Sequence, residues 1–476
     1  MANNYKTPGV YVEEISKLPP SVAQVETAIP AFIGFTEKAE RNGINLVDKP
    51  TRVKSLAEYE EWFGSINPSR TNSTGSVTNI SIDVSVEINN DAITKILPVL
   101  SSSSTIFRMY HSLQLYFSNG GGPCYIVSAE TTDTIDIGSA NTEIESAIEA
   151  LKYEDEPTII VLPDAHLVTA DASYYSMYDR ALVQSADLGD RVTIIDIKTP
   201  ATVTDDPVEV MRDASLTNLK YGATYYPDLR TTLNHFYDDN SVNVTETVDG
   251  VTAGASVSLL ASNLNLEDLE YNAIKGEIRK LIKVELPPGS AMAGIYARVD
   301  NDRGVWKAPA NVTVSAAVEP TIKISDEDQK GLNVDTTAGK SVNAIRFFTG
   351  KGILVWGART LAGNDNEWRY ISVRRFYNMV EESVKKSSSW VVFEPNDANT
   401  WTKVKSMIVN YLTVLWRQGA LAGSTPESAF FVNVGLGETM TSLDILEGRM
   451  NIEIGMAAVR PAEFIILKFS HKLQEA

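Results

Sequence analysis

The sequence PTIIVLPDA, at residues 157–165, is a continuous apolar run of the kind that forms a strand buried on both faces. A helical stretch from about Tyr174 to Ala186 follows, and then a second apolar run, RVTIIDI, at residues 191–197. Strand, helix and strand at this spacing predict a parallel βαβ unit. The fold class that we expect is therefore α/β, within a mixed α+β chain of several domains.

Two polar segments rich in Ser, Thr and Asn interrupt this pattern, near residues 65–104 and 232–262. The first contains ISIDVSVEI at 80–88, in which apolar and polar residues alternate as they do in a half-buried strand. We therefore expect both segments to be β-rich insertions on the surface of the α/β region.

Residues 336–476 alternate between predicted strands and helices. Helices are predicted from about Val373 to Val384 and from about Thr400 to Gln418, and Gly419 follows where a helix stop is expected. The predicted core face of the second helix consists of Val404, Met407, Ile408, Tyr411, Leu412 and Leu415. Strands are predicted at 352–358, 367–373, 390–396, 429–435 and 449–459.

Both ends of the chain also read as strands. TPGVYVEEI at 7–15 follows a Pro-Gly turn signal, and apolar residues alternate with polar ones from Phe464 to Leu473. Neither end has a nearby hairpin partner, and proteins normally cover an unpaired strand edge unless it is meant to pair with another chain. Pairing inside the subunit and pairing with a second chain are both open at this point.

Charge is distributed unevenly along the chain. The net charge is −19, from 42 basic and 61 acidic residues. Residues 336–476 hold 16 Lys and Arg against 13 Asp and Glu, so residues 1–335 carry the whole acidic excess. An acidic surface repels phosphate backbones, which argues against general nucleic-acid binding. The acidity either keeps the protein in solution or marks residues 1–335 as solvent-facing and residues 336–476 as enclosed by partners.

The sequence has no sign of export, membrane insertion or disulfide formation. The N-terminus, MANNYKTPGVYVEEI, lacks an apolar run behind a basic segment and does not read as a secretory signal. No stretch approaches the roughly 18 uninterrupted apolar residues of a membrane helix. The single cysteine, Cys124, cannot form an internal disulfide, which fits folding in a reducing cytoplasm.

Catalysis and metal binding have little support in the sequence. The Gly-Lys-Ser at 339–341 resembles the tail of a phosphate loop, but the glycine required five positions before Gly339 is Val334. The histidines lie far apart without a Cys or His companion at metal-ligand spacing; they are His111, His166, His235 and His471. We therefore expect no metal, no cofactor and no enzymatic activity.

Nine stretches spread nearly end to end form a specific set in this order: TPGVYVEE at 7–14, AIPAFIGF at 28–35, NGGGPCYIV at 119–127, IIVLPDA at 159–165, MAGIYARVDNDRGVWKAPAN at 292–311, NAIRFFTGKGILVWGARTL at 343–361, EWRYISVRRFYNMVEES at 367–383, GALAGSTPESAFFVNVG at 419–435 and IGMAAVRPAEFIILKFSHKL at 454–473. Through these stretches the sequence resembles the contractile tail sheath proteins of contractile phage tails and of phage-tail-like injection systems. The two polar insertions resemble that family least.

The resemblance implies a division into three parts. Residues 1–22 would form an N-terminal strand-donating arm, and residues 23–335 an outer α/β domain with the two insertions. Residues 336–476 would form a C-terminal α/β sheath core domain that faces an inner tube and ends in a second strand-donating arm.

The resemblance also implies where subunits touch. Lys403, Lys405 and Arg417, on or beside the exposed face of the predicted 400–418 helix, are candidate tube-facing residues, with an ordinary solvated or inter-subunit face as the alternative. The arms would add strands to the sheets of neighbouring subunits, which answers the question of what the end strands pair with. The candidate strand-exchange residues are Val10, Tyr11, Val12, Phe464, Ile465, Ile466, Leu467 and Phe469.

The implied function is mechanical: a sheath that polymerises around an inner tube and contracts to drive the tube through a target cell envelope. Its partners would be further copies of itself, the inner tube protein, baseplate and terminal cap proteins, and paralogous sheath subunits, without nucleic acid or direct membrane insertion. Such a virion or tail-like particle would be made in the bacterial cytoplasm, with release from the cell as one option. The alternative is an α/β ligand-binding protein or enzyme built on the βαβ unit at 157–197.

Overall fold

The computed structural model describes residues 21–66, 80–90, 92–101, 106–199, 205–252, 256–259 and 268–466. The chain divides into two compact units. The larger unit comprises Glu26–Met379 and Arg460–Ala476, and the smaller unit comprises Met1–Val25 and Val380–Val459. The three-part division after residues 22 and 335 concerns the layers of an assembly, and it stays a prediction.

A nine-stranded sheet, the central sheet, organises the larger unit. Six neighbouring strands are parallel, and Ile159–Val161 pairs with Val192–Asp196 as the βαβ prediction requires. Antiparallel pairs occur only towards its two edges. In spatial order the strands are Val312–Thr313, Gly352–Val355, Asn343–Phe348, Gly222–Tyr226, Val192–Asp196, Ile159–Val161, Pro30–Thr36, Cys124–Thr131 and Thr51–Val53.

Alternate side chains of the central sheet enter two hydrophobic cores. Ile159 and Val161 belong to one core and Ile160 to the other. Helix Gly289–Arg303 contributes to the first core, and helix Asp171–Leu188 contributes to the second. Because both faces are covered, the strands read in sequence as continuous apolar runs rather than as alternating ones.

The described part of the larger unit contains helices and smaller sheets around the central sheet. A three-stranded sheet consists of Lys283–Leu286, Leu229–Asn234 and Ala317–Pro320, and a short hairpin of Glu40–Arg41 and Ile44–Asn45. The helices are Leu56–Phe63, Met109–Ser118, Ala140–Leu151, Asp171–Leu188, Pro207–Asp213, Asp268–Leu281, Gly289–Arg303 and Asp326–Asn333. Short 3₁₀ turns lie at Ile137–Ser139, Ala165–Leu167, Leu219–Tyr221 and Asp239–Ser241.

The two polar insertions combine into one sheet, the insertion sheet. Val242–Val248 from the second insertion lies parallel to Ile82–Asn89 from the first. Ile274 and Ile278 of helix Asp268–Leu281 join the hydrophobic cluster of this sheet. The β-rich character of both segments is thus confirmed, although their pairing with one another was not foreseen. The strands are Val251–Thr252, Val242–Val248, Ile82–Asn89 and Ala92–Leu100 in spatial order, with Val257–Ser258 paired to Val242–Val248.

The smaller unit contains two long helices in its described part. Helix Ile371–Ser387 contributes its residues from Val380 onward, and helix Ala398–Arg417 is the second. The six residues predicted to form the core face of the second helix are all buried, and Gly419 follows it with a positive φ of 84°. The other elements are the 3₁₀ turn Ser389–Val391, the helices Pro426–Ala429 and Ser442–Leu446, and the strands Phe430–Asn433 and Glu453–Met456.

Two predicted strands of the C-terminal region are wrong. Within 367–373 the chain turns and then starts helix Ile371–Ser387, because the apolar side chains from Ile371 onward follow helical spacing. Within 390–396 the structure has the end of a 3₁₀ turn followed by exposed loop, and Phe393 has a positive φ of 70°. Short apolar runs do not distinguish strand, helix and turn by periodicity alone.

Candidate functional site

A two-stranded antiparallel sheet in the smaller unit, the hairpin sheet, pairs Phe430–Asn433 with Glu453–Met456. Just beyond it, the Ala457 amide donates to the Ala429 carbonyl, which marks a hydrogen-bonded pair. Such pairs alternate with non-hydrogen-bonded ones, so the N–H and C=O groups of Val432 and Ile454 point away from the partner strand. In the part of the chain that the structure describes, no third strand pairs with either outer edge.

The two faces of the hairpin sheet differ. Phe430 and Val432 are buried on the side that packs on helix Ala398–Arg417. Phe431 lies on the other face, half exposed, and its ring covers Gly455 on the opposite strand. A Cβ atom at residue 455 would come within 2.1 Å of that ring, so a side chain there requires Phe431 to move.

The C-terminal segment ends its described course in exposed apolar residues. The exposed fractions are 71% for Phe464, 80% for Ile465 and 79% for Ile466, and none of the three belongs to a strand of its own chain. Phe464 and Ile465 also line a groove of about 640 Å³ together with Ala308 and Trp356. The other predicted strand-exchange residues lie outside the described residues; they are Val10, Tyr11, Val12, Leu467 and Phe469.

Immediately before this segment, Glu463 is held in the larger unit by several side chains. Arg359 donates from Nη2 to Glu463 Oε2 over 2.6 Å and from Nε to Oε1 over 3.0 Å. Asn333 Nδ2 donates to Oε1 over 2.9 Å, and the Tyr370 hydroxyl to Oε2 over 3.2 Å. Burial would raise the pKa of Glu463, but these hydrogen bonds, led by the one from Arg359, outweigh it and hold the pKa below its usual value.

The predicted tube-facing residues lie on two flanks of helix Ala398–Arg417. Lys403 and Arg417 are exposed and Lys405 is half-buried. At about 3.6 residues per turn, Lys403 and Arg417 share one side of the helix, about 21 Å apart along its axis, whereas Lys405 lies on the opposite flank. The structure therefore brings two of the three side chains onto a common face, and their contact with a tube stays a prediction.

A family profile described as the phage tail sheath C-terminal domain matches residues 363–472. The whole chain is similar to a chain of an extracellular contractile injection system, the PVC sheath complex in contracted state, with 30% identity, a TM-score of 0.63 and 99% of each chain covered. The chain belongs to the contractile tail sheath family.

Other sheath relatives agree with this assignment. The anti-feeding prophage (AFP) helical sheath in contracted state is 30% identical, with a TM-score of 0.64 and coverage of 98% of this chain and 100% of that chain. The tail sheath protein of Enterobacteria phage T4 is 24% identical over 176 residues, which are 37% of this chain and 24% of the phage protein. The matched region spans less than half the length of the curated relatives.

The surroundings of Glu463 are the feature of this sheath chain that sequence reasoning missed. Arg359, Tyr370 and Glu463 come from three of the stretches that carry the family resemblance, in GARTL, EWRYI and RPAEF. The signal in the sequence that could have pointed to these residues is that they are polar side chains within those stretches. No local pattern indicates that they would meet around one carboxylate.

The titratable groups that the sequence singled out have structural roles. Burial, the larger cause, lowers the pKa of His111 and of His235 to about 4, so both rings are neutral at pH 7. Burial raises the pKa of the Cys124 thiol well above its usual range. Lys340 is buried and donates to the carbonyls of Arg212 and Ala214 over 2.6 and 2.5 Å, so its ammonium group is already occupied.

The carboxyl ends of the parallel strands, where the alternative ligand-binding interpretation would place a site, enclose a cavity of about 210 Å³. Its lining includes Arg108, His166, Asp196 and Lys198. Pockets for small molecules are usually about 300–1,000 Å³. Among the described residues, no group of three potential ligands is arranged to hold a metal ion, and no helix has the length and apolar character needed to span a membrane.

Proposed function

We propose that this chain is the structural subunit of a contractile sheath, which polymerises around an inner tube and contracts to drive that tube through a target cell envelope. The observation that carries the proposal is the hairpin sheet, in which strand Phe430–Asn433 pairs with Glu453–Met456 and with no second strand among the described residues. The same chain presents exposed apolar residues at Phe464–Ile466. The whole-chain similarity to two sheaths in the contracted state supports the same conclusion.

Donor and acceptor surfaces on one chain explain how a sheath would grow. An extended segment can add to an open sheet edge through backbone hydrogen bonds. Because the donor segment and the hairpin sheet are different surfaces, the contact between copies is heterologous. Repetition of a heterologous contact builds rings or open helical assemblies rather than closed dimers.

Contraction then becomes a change between two packings of the same subunits. Bistable interfaces turn small rigid-body shifts into large movements when many copies shift together. The donated strands would keep neighbours connected while side-chain contacts break and re-form. The extended state would be held by a kinetic barrier until a trigger releases it. The stroke needs no catalysis or cofactor, because its energy is stored in the packing of the subunits.

The partners we propose are further copies of this chain, an inner tube protein and a baseplate, with terminal cap proteins and paralogous sheath subunits as additional ones. Relatives at 25–30% identity occur in AFP baseplate structures as well as in sheaths. Lys403 and Arg417 are the side chains that we assign to the tube, with Lys405 on the other flank. The particle would be made in the bacterial cytoplasm and used as a virion or a released tail-like particle.

Negative-stain electron microscopy of the full chain, with and without co-expressed inner tube protein, tests this function. We expect hollow striated cylinders or stacked rings, at least in the presence of the tube protein. Discrete small particles under both conditions would contradict the proposal.

Truncation tests the part assigned to the end segments. Removal of residues 1–18, or of residues 464–476, should leave a folded subunit that no longer polymerises, because each variant lacks one donated strand. Circular dichroism checks folding and sedimentation checks assembly. Normal sheaths from either truncated chain would refute strand donation by that end.

A further inference from the structure

The ion pair between Arg359 and Glu463 lies where the C-terminal segment leaves the folded body. The Arg359 side chain is only 4% exposed and that of Glu463 is 21% exposed. One residue later, at Phe464, the exposed fraction of the residue rises to 71%. A buried, bidentate guanidinium–carboxylate contact is among the strongest polar contacts in proteins, and it fixes direction as well as distance. The ion pair therefore fixes the position at which the exposed residues Phe464–Ile466 follow the larger unit.

This contact is joined to the central sheet by a second set of hydrogen bonds. The Asn343 side chain accepts from the Arg359 amide over 2.7 Å and donates to the Arg359 carbonyl over 2.8 Å. Its Nδ2 also donates to the Thr224 carbonyl over 3.0 Å. Asn343 begins one strand of the central sheet and Thr224 lies in the next.

The packing beside this link leaves little space for rearrangement. A Cβ atom at Gly357 would come within 2.7 Å of Asn343 Oδ1. Arg359 and Asn343 are both buried. The third donor nitrogen of Arg359, Nη1, donates to the Asn333 carbonyl over 3.0 Å. A chain of polar contacts in such packed surroundings is rigid once all its members are paired.

We propose that Glu463, Arg359 and Asn343 form an anchor that carries tension from the donated C-terminal strand into the central sheet. The proposal rests on the function proposed above and names the positioning residues of its strand exchange. A strand that pairs with a neighbouring copy can transmit a pull only if its own base is held. Glu463 holds that base, Arg359 connects it to the body, and Asn343 fixes the Arg359 backbone to two parallel strands.

The test is Glu463→Gln, which keeps the shape of the side chain and removes its charge. The matched control is Glu327→Gln, because Glu327 forms an ion pair with Lys330 on the neighbouring helix Asp326–Asn333 and both side chains are highly exposed. Asp300→Asn serves as a structural comparator, since Asp300 pairs with Arg375 as a buried ion pair of the same unit.

Two measurements, read beside the melting temperature, distinguish a role of Glu463 in anchoring the segment from a role in the stability of the fold. A nitroxide on Ile466→Cys reports the mobility of the segment in unassembled subunits, and Cys124 is buried and does not compete for the label. Sheath length after a fixed dose of sonication reports resistance to tension. For Glu463→Gln we expect a melting temperature within about 3 °C of the parent, faster label motion, and sheaths at least about twofold shorter after sonication. Glu327→Gln should match the parent in all three.

Other outcomes have distinct meanings. Unchanged label motion, or sheaths of parental strength despite faster motion, would overturn the anchor. A variant that behaves like Asp300→Asn, with a lowered melting temperature and unchanged label motion, would show a purely structural ion pair and would also overturn it. Normal sheaths from the chain truncated at residue 464 would instead refute the strand donation itself.

Discussion

The central sheet and the hairpin sheet are built from similar apolar strands but are completed in different ways. Every inner strand of the central sheet has a neighbour on each side, and both of its faces are buried. The hairpin sheet has one face covered by helix Ala398–Arg417, and no third strand joins it among the described residues. The first sheet is completed by its own chain, whereas in the function proposed above the second receives strands from neighbouring copies.

Because the two sheets are completed differently, we expect the central sheet to determine the stability of the subunit and the hairpin sheet to determine its assembly. An isolated two-stranded sheet is marginal in water, and additional strands or a packed helix are needed for independent stability. The helix beneath the hairpin sheet keeps it folded in the single subunit. If neighbouring copies add strands to it, as proposed above, changes to the hairpin sheet should affect polymerisation, and changes to the central sheet should affect the free energy of unfolding.

The largest effect is expected for Ile454→Pro. The Ile454 N–H points away from the partner strand, so proline removes a donor that an incoming strand would use while the internal pairs remain. We expect a folded subunit that fails to polymerise, measured by circular dichroism and sedimentation. Ile454→Ala keeps the N–H and should polymerise; equal polymerisation of both variants would show that this edge accepts no strand.

A smaller but still large effect is expected for Ile194→Ala in the central sheet. Ile194 is completely buried, and loss of its outer carbons leaves a cavity. The free energy of unfolding of the larger unit should fall by about 2–5 kcal/mol in urea titrations. Below the unfolding transition, sheaths should still form, in contrast to Ile454→Pro. Ile44→Ala, at an exposed position, is the control and should change little.

Asp196→Asn should give an intermediate, pH-dependent effect. Burial, together with the nearby Asp228, raises the pKa of Asp196 to about 7, so the folded state binds a proton more tightly than the unfolded state. The stability linked to this proton is fully present below the unfolded pKa near 4 and is lost as the pH rises through about 7. The advantage of the variant over the parent in the free energy of unfolding should therefore be smallest below pH 4 and should grow by about 2–3 kcal/mol between pH 5 and pH 8.

The measurement for Asp196→Asn is urea unfolding at both pH values. Asp187→Asn, at an exposed position of helix Asp171–Leu188, serves as the control. Asparagine can still accept the Gly289 amide, which donates to Asp196 Oδ1 over 2.9 Å. An equal stability difference at pH 5 and pH 8 would show that a cause other than the titration of Asp196 is responsible.

The smallest effect on stability is expected at the candidate tube face. A double change, Lys403→Ala with Arg417→Ala, should alter the free energy of unfolding by less than about 0.5 kcal/mol because both side chains are exposed. If this flank contacts the tube, co-purification of the inner tube protein should fall. Lys405→Ala tests the opposite flank, and loss of tube binding in that variant alone would reverse the assignment.

The parts of the fold that the sequence predicts are those with dense local signals. The runs around Ile159 and Val192 are apolar on both faces, and the helix Ala398–Arg417 shows a regular core face followed by Gly419. The pattern of apolar residues within each of these segments is enough to indicate its type. Their elements therefore follow from periodicity and stop signals alone.

The parts that escaped prediction depend on distant partners. Nothing in the apolar pattern of Asn343–Phe348 tells which strand it joins, yet it pairs with Gly222–Tyr226. The contacts of Glu463 come from residues more than 90 positions away, and ion pairs at that distance leave no local signal. In 390–396 the apolar residues Val392 and Phe393 are exposed, because in the described structure no strand lies beside them.

The insertion sheet sets an order on the folding of the chain. Asn243 and Asp83 are partners 160 positions apart in sequence, so their strands cannot meet until the ribosome has released both. Contacts between such distant segments carry a closure entropy that slows folding. The first insertion therefore cannot complete the insertion sheet until the α/β region between the two segments has been synthesised. For protein engineers, the insertion sheet is consequently one module with two points of attachment, and it can be exchanged between relatives only when both segments are replaced together.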